Sequence, residues 1–340
     1  MARYIGVDLG TANTLIYLKG KGVVLSEPSV VAIDGQSGRI LAVGNDAKNM
    51  IGRTPDEVSV VCPVKKSVIA DFDVAQAMLR VFLEKACPKG ILRPFVTICT
   101  PHNITEVERR AVLEAVRSAG GKNIYVIDTP MASAIGADLP VSEAVGSMVV
   151  DIGSGTLETA VLSFGGIVSS ISSSYAGDKM DKDIKDYVKN TQGVVIGEHT
   201  AEEIKKALAS AVLEEEEKTM SVLGRDLATG LPKKITVTNK EVYKAIKKTI
   251  NKVIESIRIT LENTPPELLK DISENGIVLL GGGAKLRGLT ELIKERIGIS
   301  AHISENAEEC AVLGAGRAVS VLSEKGAKEN KIKRAALNRL

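Results

Sequence analysis

A chain of 340 residues, 44% hydrophobic, is long for one core and points to two lobes. Its net charge of +2 leaves partners open, while 3% aromatics with no Trp argue against base stacking on nucleic acid. Four scattered cysteines (Cys62, Cys87, Cys99, Cys310) lack metal or redox spacing, the start MARYIGVDLG runs straight into a strand, and no apolar run nears the ~20 residues of a membrane span, so a soluble protein of a reducing cytosol is expected.

In chain order, residues 4–33 read as three short strands turning at Gly20 and Gly22. Residues 34–66 are irregular and Gly-punctuated, which suits a small inserted subdomain. Val74, Ala77, Met78, Val81 and Phe82 recur at helical spacing between Asp73 and Ala86. RPFVTICTP is a buried strand, and the next helix opens with Thr105 and Glu108 as a capping box and stops at Gly120 and Gly121. NIYVID (123–128) is another buried strand, with Thr129 as N-cap and Pro130 in the first turn of the helix that follows.

The second half repeats this grammar. Hairpin strands fill 147–173, helices follow at about 177–190 and 200–215, and 217–238 holds two strands around a Gly-Pro turn. A long amphipathic helix starts at Thr238, capped with Glu241. NGIVLLGGGAKLRGLTELIKERIG is a buried strand, a triple-Gly turn and a helix, and EECAVLGAGRAVSVL is a last helix. The tail after Ser323 carries six Lys/Arg against two Glu and reads as frayed.

Two stretches share one design. GVDLGTANTLIYLKGKGVV (6–24) and VVDIGSGTLETAVLSFGGIV (149–168) each end an apolar strand in Asp, turn on Gly and resume a strand; Asp8 and Asp151, Gly10 and Gly153, and Gly22 and Gly165 all lie 143 residues apart. One D-x-G is an ordinary β-turn, but two copies, each opening its half of the chain, favour function. Backbone N–H groups of Thr11, Ala12 and Asn13, and of Ser154, Gly155 and Thr156, can form anion nests, with hydroxyls of Thr11, Ser154 and Thr156 as further donors. Asp8 and Asp151 sit beside phosphates only if a cation intervenes, and hydrated Mg²⁺ binds through one or two carboxylates plus phosphate. The expectation is two facing hairpins clamping a polyphosphate–Mg²⁺ in a cleft between lobes. Gly281, Gly282, Gly283 and Ala284, after a buried strand, suit a wall that approaches a flat base closely. The fold class expected is α/β, two duplicated lobes each with a mixed sheet and flanking helices.

With these loops assembled, the chain resembles the actin, sugar-kinase and heat-shock ATPase superfamily and, within it, the MreB family of bacterial actins. The resemblance covers nearly the whole chain, through IGVDLGTANTLIYLKGKGVVLSEPSVVAI, AKNMIGRTP, VIADFDVAQAMLR, ITEVERRAV, IGEHTAEEIK, GRDLATGLPK, TPPELL and GGGAKLRGL. It implies an actin-like fold of four subdomains around an ATP cleft: a core of 1–33, 67–140 and a helix at about 308–322; a small subdomain over 34–66; a second core of 141–176 and 250–307; and a small subdomain over 177–249, with 323–340 as basic tail. It implies phosphate loops at Thr11, Ala12 and Asn13 and at Gly153, Ser154 and Gly155. Adenosine contacts are implied at Ala201, Glu202, Glu203 and Ile204 and at Gly281–Ala284. Without the resemblance, Glu202 and Glu203 are ordinary solvated helix charges.

The same resemblance implies head-to-tail and paired filaments on the inner face of the cytoplasmic membrane, partnered by cell-shape and cell-wall synthesis proteins. Ile91 and Leu92, in CPKGILRPF, either pack under their loop or insert into that membrane, and the basic tail either is solvated or meets an anionic leaflet. Two buried side chains contribute at most ~1.5–3 kcal/mol each, so binding would rely on the repeat along a filament.

Two positions depart from the family pattern. The family reads I-E-E-P-M-A-A-A-I-G where this chain has IDTPMASAIG, so Thr129 stands at the Glu that orients the attacking water. The family's G-G-G-T-T-E is GSGTLE, with Leu157 replacing a Thr. Together they lead to an expectation of ATP binding with weakened hydrolysis; alternatively Thr129, Thr156 and an ordered water suffice. A non-hydrolysing regulatory paralogue that caps or co-polymerises with an active relative is the second reading. A small-molecule kinase is third, with little room for a substrate pocket, and a heat-shock chaperone fails on length.

Overall fold

Short alternating strands build the first sheet. The computed structural model describes residues 3–87, 94–319 and 322. β1 (Tyr4–Leu9), β2 (Asn13–Leu18) and β3 (Gly22–Pro28) form an antiparallel meander. The segment expected as a third strand breaks at Ser29. β4 (Val31–Asp34) leaves that sheet and pairs instead with β5 (Ile40–Val43) and β6 (Val58–Val61), with the short helix α1 (Asn45–Lys48) between. Residues 34–66 are therefore not irregular. Their strands are only four residues long, and the intervening glycines mask the alternation. β7 (Val64–Lys65) and β8 (Val68–Ile69) form a two-residue-loop hairpin in which Lys66 and Ser67 both take positive φ, at 51° and 56°.

α2 (Phe72–Ala86), β9 (Phe95–Thr100), α3 (Glu106–Ser118), β10 (Asn123–Asp128) and α4 (Thr129–Gly136) follow. The Thr105–Glu108 capping box is present. The sheet order is β10-β9-β1-β2-β3, with β1, β9 and β10 parallel. Ile5, Val7, Ile16, Met78, Phe82 and Ile98 are fully buried between this sheet and the helices.

The chain then forms a second unit (Glu143–Ala307) before returning to the first at Glu308. β11 (Ser147–Ile152), β12 (Leu157–Ser163) and β13 (Gly166–Ser173) repeat the meander. α5 (Gly177–Gln192), β14 (Val194–Val195), α6 (Glu198–Leu208), β15 (Thr219–Asp226) and β16 (Pro232–Thr238) follow, the three strands forming a separate sheet in the order β14-β15-β16. α6 stops at Leu208, short of about 215, because the chain turns off to bridge Ser210 to Arg287. α7 (Asn239–Glu262), with its Thr238–Glu241 capping box, α8 (Pro266–Asn275), β17 (Ile277–Leu280), α9 (Leu289–Ile297) and β18 (Ala301–Ile303) complete the unit. Its sheet runs β13-β12-β11-β17-β18, the first unit's order with the same parallel trio, so each unit is a mixed sheet flanked by helices.

Residues 310–319 form a last helix, α10, which belongs to the first unit. α4 and α10 meet backbone to backbone. A Cβ on Gly314 would strike the Ala132 carbonyl, one on Gly136 would strike that of Cys310, and one on Gly6 would lie 2.5 Å from the Gly316 nitrogen. Arg317 donates to the Ile135 and Gly136 carbonyls at 2.7 and 3.2 Å, capping the end of α4. Ile91, Leu92 and the basic tail lie outside the described residues.

Candidate functional site

The duplication is retained in atomic register. β1 pairs with β2 as Ile5↔Leu18 through Asp8↔Leu15 to Leu9↔Thr14. β11 pairs with β12 as Met148↔Val161 through Asp151↔Glu158 to Ile152↔Leu157, each partner 143 residues on. The third strands diverge: Leu18 faces Gly22, but Val161 faces Ser169. The conserved offset therefore covers the Asp, the loop and the two strands that hold it.

Each loop is braced from behind, by different means. In the first unit the buried Ser29 hydroxyl donates to the Gly10 carbonyl at 2.7 Å and meets the Thr14 hydroxyl at 2.8 Å, while the Ser29 N–H binds the Ala12 carbonyl. The Thr11 hydroxyl accepts from the Ser67 N–H at 2.9 Å, which turns its own proton outward as a donor. Ala12 and Asn13 are exposed. In the second unit Leu157 occupies the position of Thr14 and no hydroxyl pair is possible. There the N-terminus of α5 does the work: Gly177 N–H donates to the Gly153 carbonyl and Asp178 N–H to the Ser154 carbonyl, at 3.1 and 2.7 Å. Leu157 is fully buried in the second unit's core, so its side chain has no face toward a ligand, and the sequence argument for weakened hydrolysis reduces to Thr129.

Behind α5 lies a charged cluster that sequence reasoning missed. Lys205 on α6 reaches Asp181 at 2.6 Å and the Gly177 carbonyl at 3.1 Å, and a Cβ on Gly177 would sit 3.2 Å from the Ser154 Cα. Burial is the main influence on Asp178 and Asp181 and raises both carboxyls above the usual carboxylate range, with Lys205 opposing it. A carboxyl raised by folding stabilises below its unfolded pKa and loses that contribution as pH rises through the folded value. At neutral pH both carboxylates therefore weigh against the fold, and Lys205 offsets them. Lys205→Met is expected to destabilise the second unit by about 3 kcal/mol, with a midpoint that recovers as pH falls toward 4, read by thermal melts across pH.

Gly281 and Gly283 close on the same strand end. A Cβ on Gly281, whose φ is +76°, would lie 2.5 Å from the Ile152 carbonyl oxygen and 2.6 Å from Asp151 Oδ1. The triple glycine opens a 3₁₀ turn (Gly282–Lys285) rather than α9 itself, which starts after Gly288. Gly282 is exposed and Ala284 fully buried. On α6, Ala201 and Ile204 are core residues at 0% exposure, whereas Glu202 and Glu203 face outward and pair with Lys206 and His199. Asp8 and Asp151 are the penultimate residues of β1 and β11 at matched positions, and the buried Glu158 of β12 lies level with Asp151. Each such strand-end aspartate suits a hydrated Mg²⁺ shared with phosphate better than a protein cage, and among the described residues no group of three or more His, Cys, Asp or Glu could hold a metal.

Thr129 is the first residue of α4, not its N-cap. β10 stays extended through Asp128, which takes the cap position without a side-chain hydrogen bond.

The MreB/Mbl protein family model matches residues 2–327. The chain belongs to the MreB/Mbl family. The cell shape-determining protein Mbl of Bacillus subtilis (strain 168) is 46% identical over 316 residues, 93% of this chain and 95% of Mbl. The crystal structure of MreB5 of Spiroplasma citri bound to ADP superposes with a TM-score of 0.89 at 32% identity, covering 97% and 98% of the two chains. A MamK double helical filament shares the fold, with a TM-score of 0.81 at 21% identity over 94% and 99%. The actin-like α/β fold expected from the sequence is thus the fold of this MreB/Mbl-family chain. No helix among its described residues is long and apolar enough to cross a membrane.

Proposed function

We propose that this MreB/Mbl-family chain is an ATP-binding, actin-like cytoskeletal protein. It polymerises into membrane-associated filaments in the cytoplasm, helps determine cell shape by organising cell-wall synthesis, and hydrolyses ATP weakly. The observation that carries the nucleotide reading is the doubled Asp-loop hairpin, identical in register and independently braced in each unit. Phosphates take the amides of Thr11–Asn13 and Gly153–Gly155, the base takes Gly281–Ala284 and α6 near Glu202 and Glu203, and Asp8 and Asp151 hold Mg²⁺ through water. When bound, that cation supplies charge neutralisation at the phosphates. The ADP in the MreB5 structure supports the ligand class, and the MamK filament supports self-assembly through the shared fold.

Membrane attachment through Ile91 and Leu92 extends the same reading and is tested by co-sedimentation of filaments with anionic vesicles. A regulatory paralogue that co-polymerises with an active relative is favoured by the missing carboxylate at position 129. Phosphate release from Mg-ATP, measured beside pelleting and electron microscopy, tests the hydrolysis. Filaments with little release are expected, and Thr129→Glu is expected to raise turnover at least about tenfold. Wild-type release as fast as the variant's would overturn weak hydrolysis.

A further inference from the structure

We propose that His102, oriented by Asp128, takes the proton of the attacking water in whatever hydrolysis this chain performs. The proposal rests on the nucleotide reading above. β10, β9 and β1 are parallel neighbours, with Asp128 level with Thr100 and Asp8 level with Cys99. Their carboxyl ends share one edge of the first unit's sheet, the edge from which the Gly10–Asn13 loop emerges. Neighbouring strands lie ~4.8 Å apart. His102 lies in the turn two residues beyond β9, the middle strand of the three, where its side chain approaches Asp128 at the end of β10.

The side chains bear this out. His102 Nδ1 is 3.5 Å from Asp128 Oδ1, and the two side chains are 33% and 38% exposed, open enough for water to reach them. Pro101, buried, fixes the backbone just before the histidine. Thr100, on the same strand end and 2% exposed, has a buried hydroxyl with no hydrogen-bond partner. An unpaired buried hydroxyl two residues before the histidine is a group that an ordered water would satisfy.

Chemistry selects the histidine. Asp8 is committed to the cation, the Thr11 hydroxyl is engaged by Ser67, and the Thr129 hydroxyl does not take up a proton near neutral pH. An imidazole does. A carboxylate 3.5 Å from Nδ1, at ion-pair rather than hydrogen-bond distance, favours the tautomer with its proton on that nitrogen and leaves Nε2 as the acceptor. In the step itself the water oxygen bonds to the γ-phosphorus as the bond from that phosphorus to the β,γ-bridging oxygen breaks. The bond's electron pair leaves with ADP, and the water's proton passes to Nε2 and from there to solvent.

The test is single-turnover phosphate release by the full-length protein, with affinity for a fluorescent ATP analogue measured separately. His102→Gln is expected to slow release at least about tenfold with affinity unchanged. Asp128→Asn is expected to slow it less, and adding Thr129→Glu to His102→Gln restores it. Release by a folded His102→Gln at the wild-type rate would sink the proposal, as would a loss tracking affinity alone or a wild type that binds ATP and releases no phosphate. A wild type that binds no ATP overturns the nucleotide reading itself, and the proposal with it. Should His102→Gln fail to fold, unchanged release by Asp128→Asn counts against the proposal and slowed release for it.

Discussion

Gly281→Val is expected to lower affinity for ATP by at least about 100-fold while the second unit keeps its secondary structure. Position 281 has φ +76°, a conformation a β-branched residue adopts only under strain of about 1–3 kcal/mol. The added Cβ would also press on the Ile152 carbonyl and on Asp151 Oδ1, so relief comes from moving the carboxylate proposed to hold Mg²⁺ or from tilting the turn off β11. Either movement spoils two parts of the site at once. Gly298→Ala is the control: it has a similar φ, +85°, with open space around it, so about 1 kcal/mol of stability is lost and affinity is kept. Titration with a fluorescent ATP analogue beside circular dichroism separates the two. Undiminished affinity in Gly281→Val would show that the triple glycine is not a ligand wall.

Gly314→Val is expected to unfold the first unit or lower its stability by more than about 3 kcal/mol. No side-chain rotation relieves the contact, because the atom in the way is the Ala132 backbone carbonyl and Gly136 faces Cys310 in the same manner. α4 would be forced away from α10, taking with it Thr129 and the Arg317 bonds that cap the helix. Thermal melts and limited proteolysis report this directly. A near-native melt would mean that the two helices separate at little cost.

How much of this was legible in the sequence depends on whether the determining contacts are local. The 143-residue offset foretold the register of both hairpins because an Asp, a Gly turn and period-2 alternation are all local features. Both capping boxes were legible for the same reason. The sheet within 34–66 was not, since four-residue strands broken by glycines carry too little alternation. Nor was the burial of Leu157: GSGTLE reads as a loop, but its Leu is already the first residue of β12 and points into the core. Thr129 was placed one residue early because a Thr before a Pro has the look of a cap, whereas the strand ends at Asp128. The braces of the candidate site depended on distant partners altogether. Ser29, Ser67, Gly177 and Lys205 act on loops 19 to 56 residues away or through a neighbouring helix, and no spacing rule marks them.

The membership of α10 in the first unit bears on how the chain is made. The second unit is one continuous stretch, 143–307, and can fold as soon as it leaves the ribosome. The first unit, though begun earlier, lacks a helix until residue 319 has been synthesised. At about 5–20 residues per second that is a delay of roughly 10–35 s. During it, the small-residue face formed by Gly6, Ala132 and Gly136 has nothing to pack against. The nascent N-terminal half is thus the part of the molecule that most needs a chaperone, and a message truncated between residue 307 and α10 yields a complete second unit tethered to an unfinished first one.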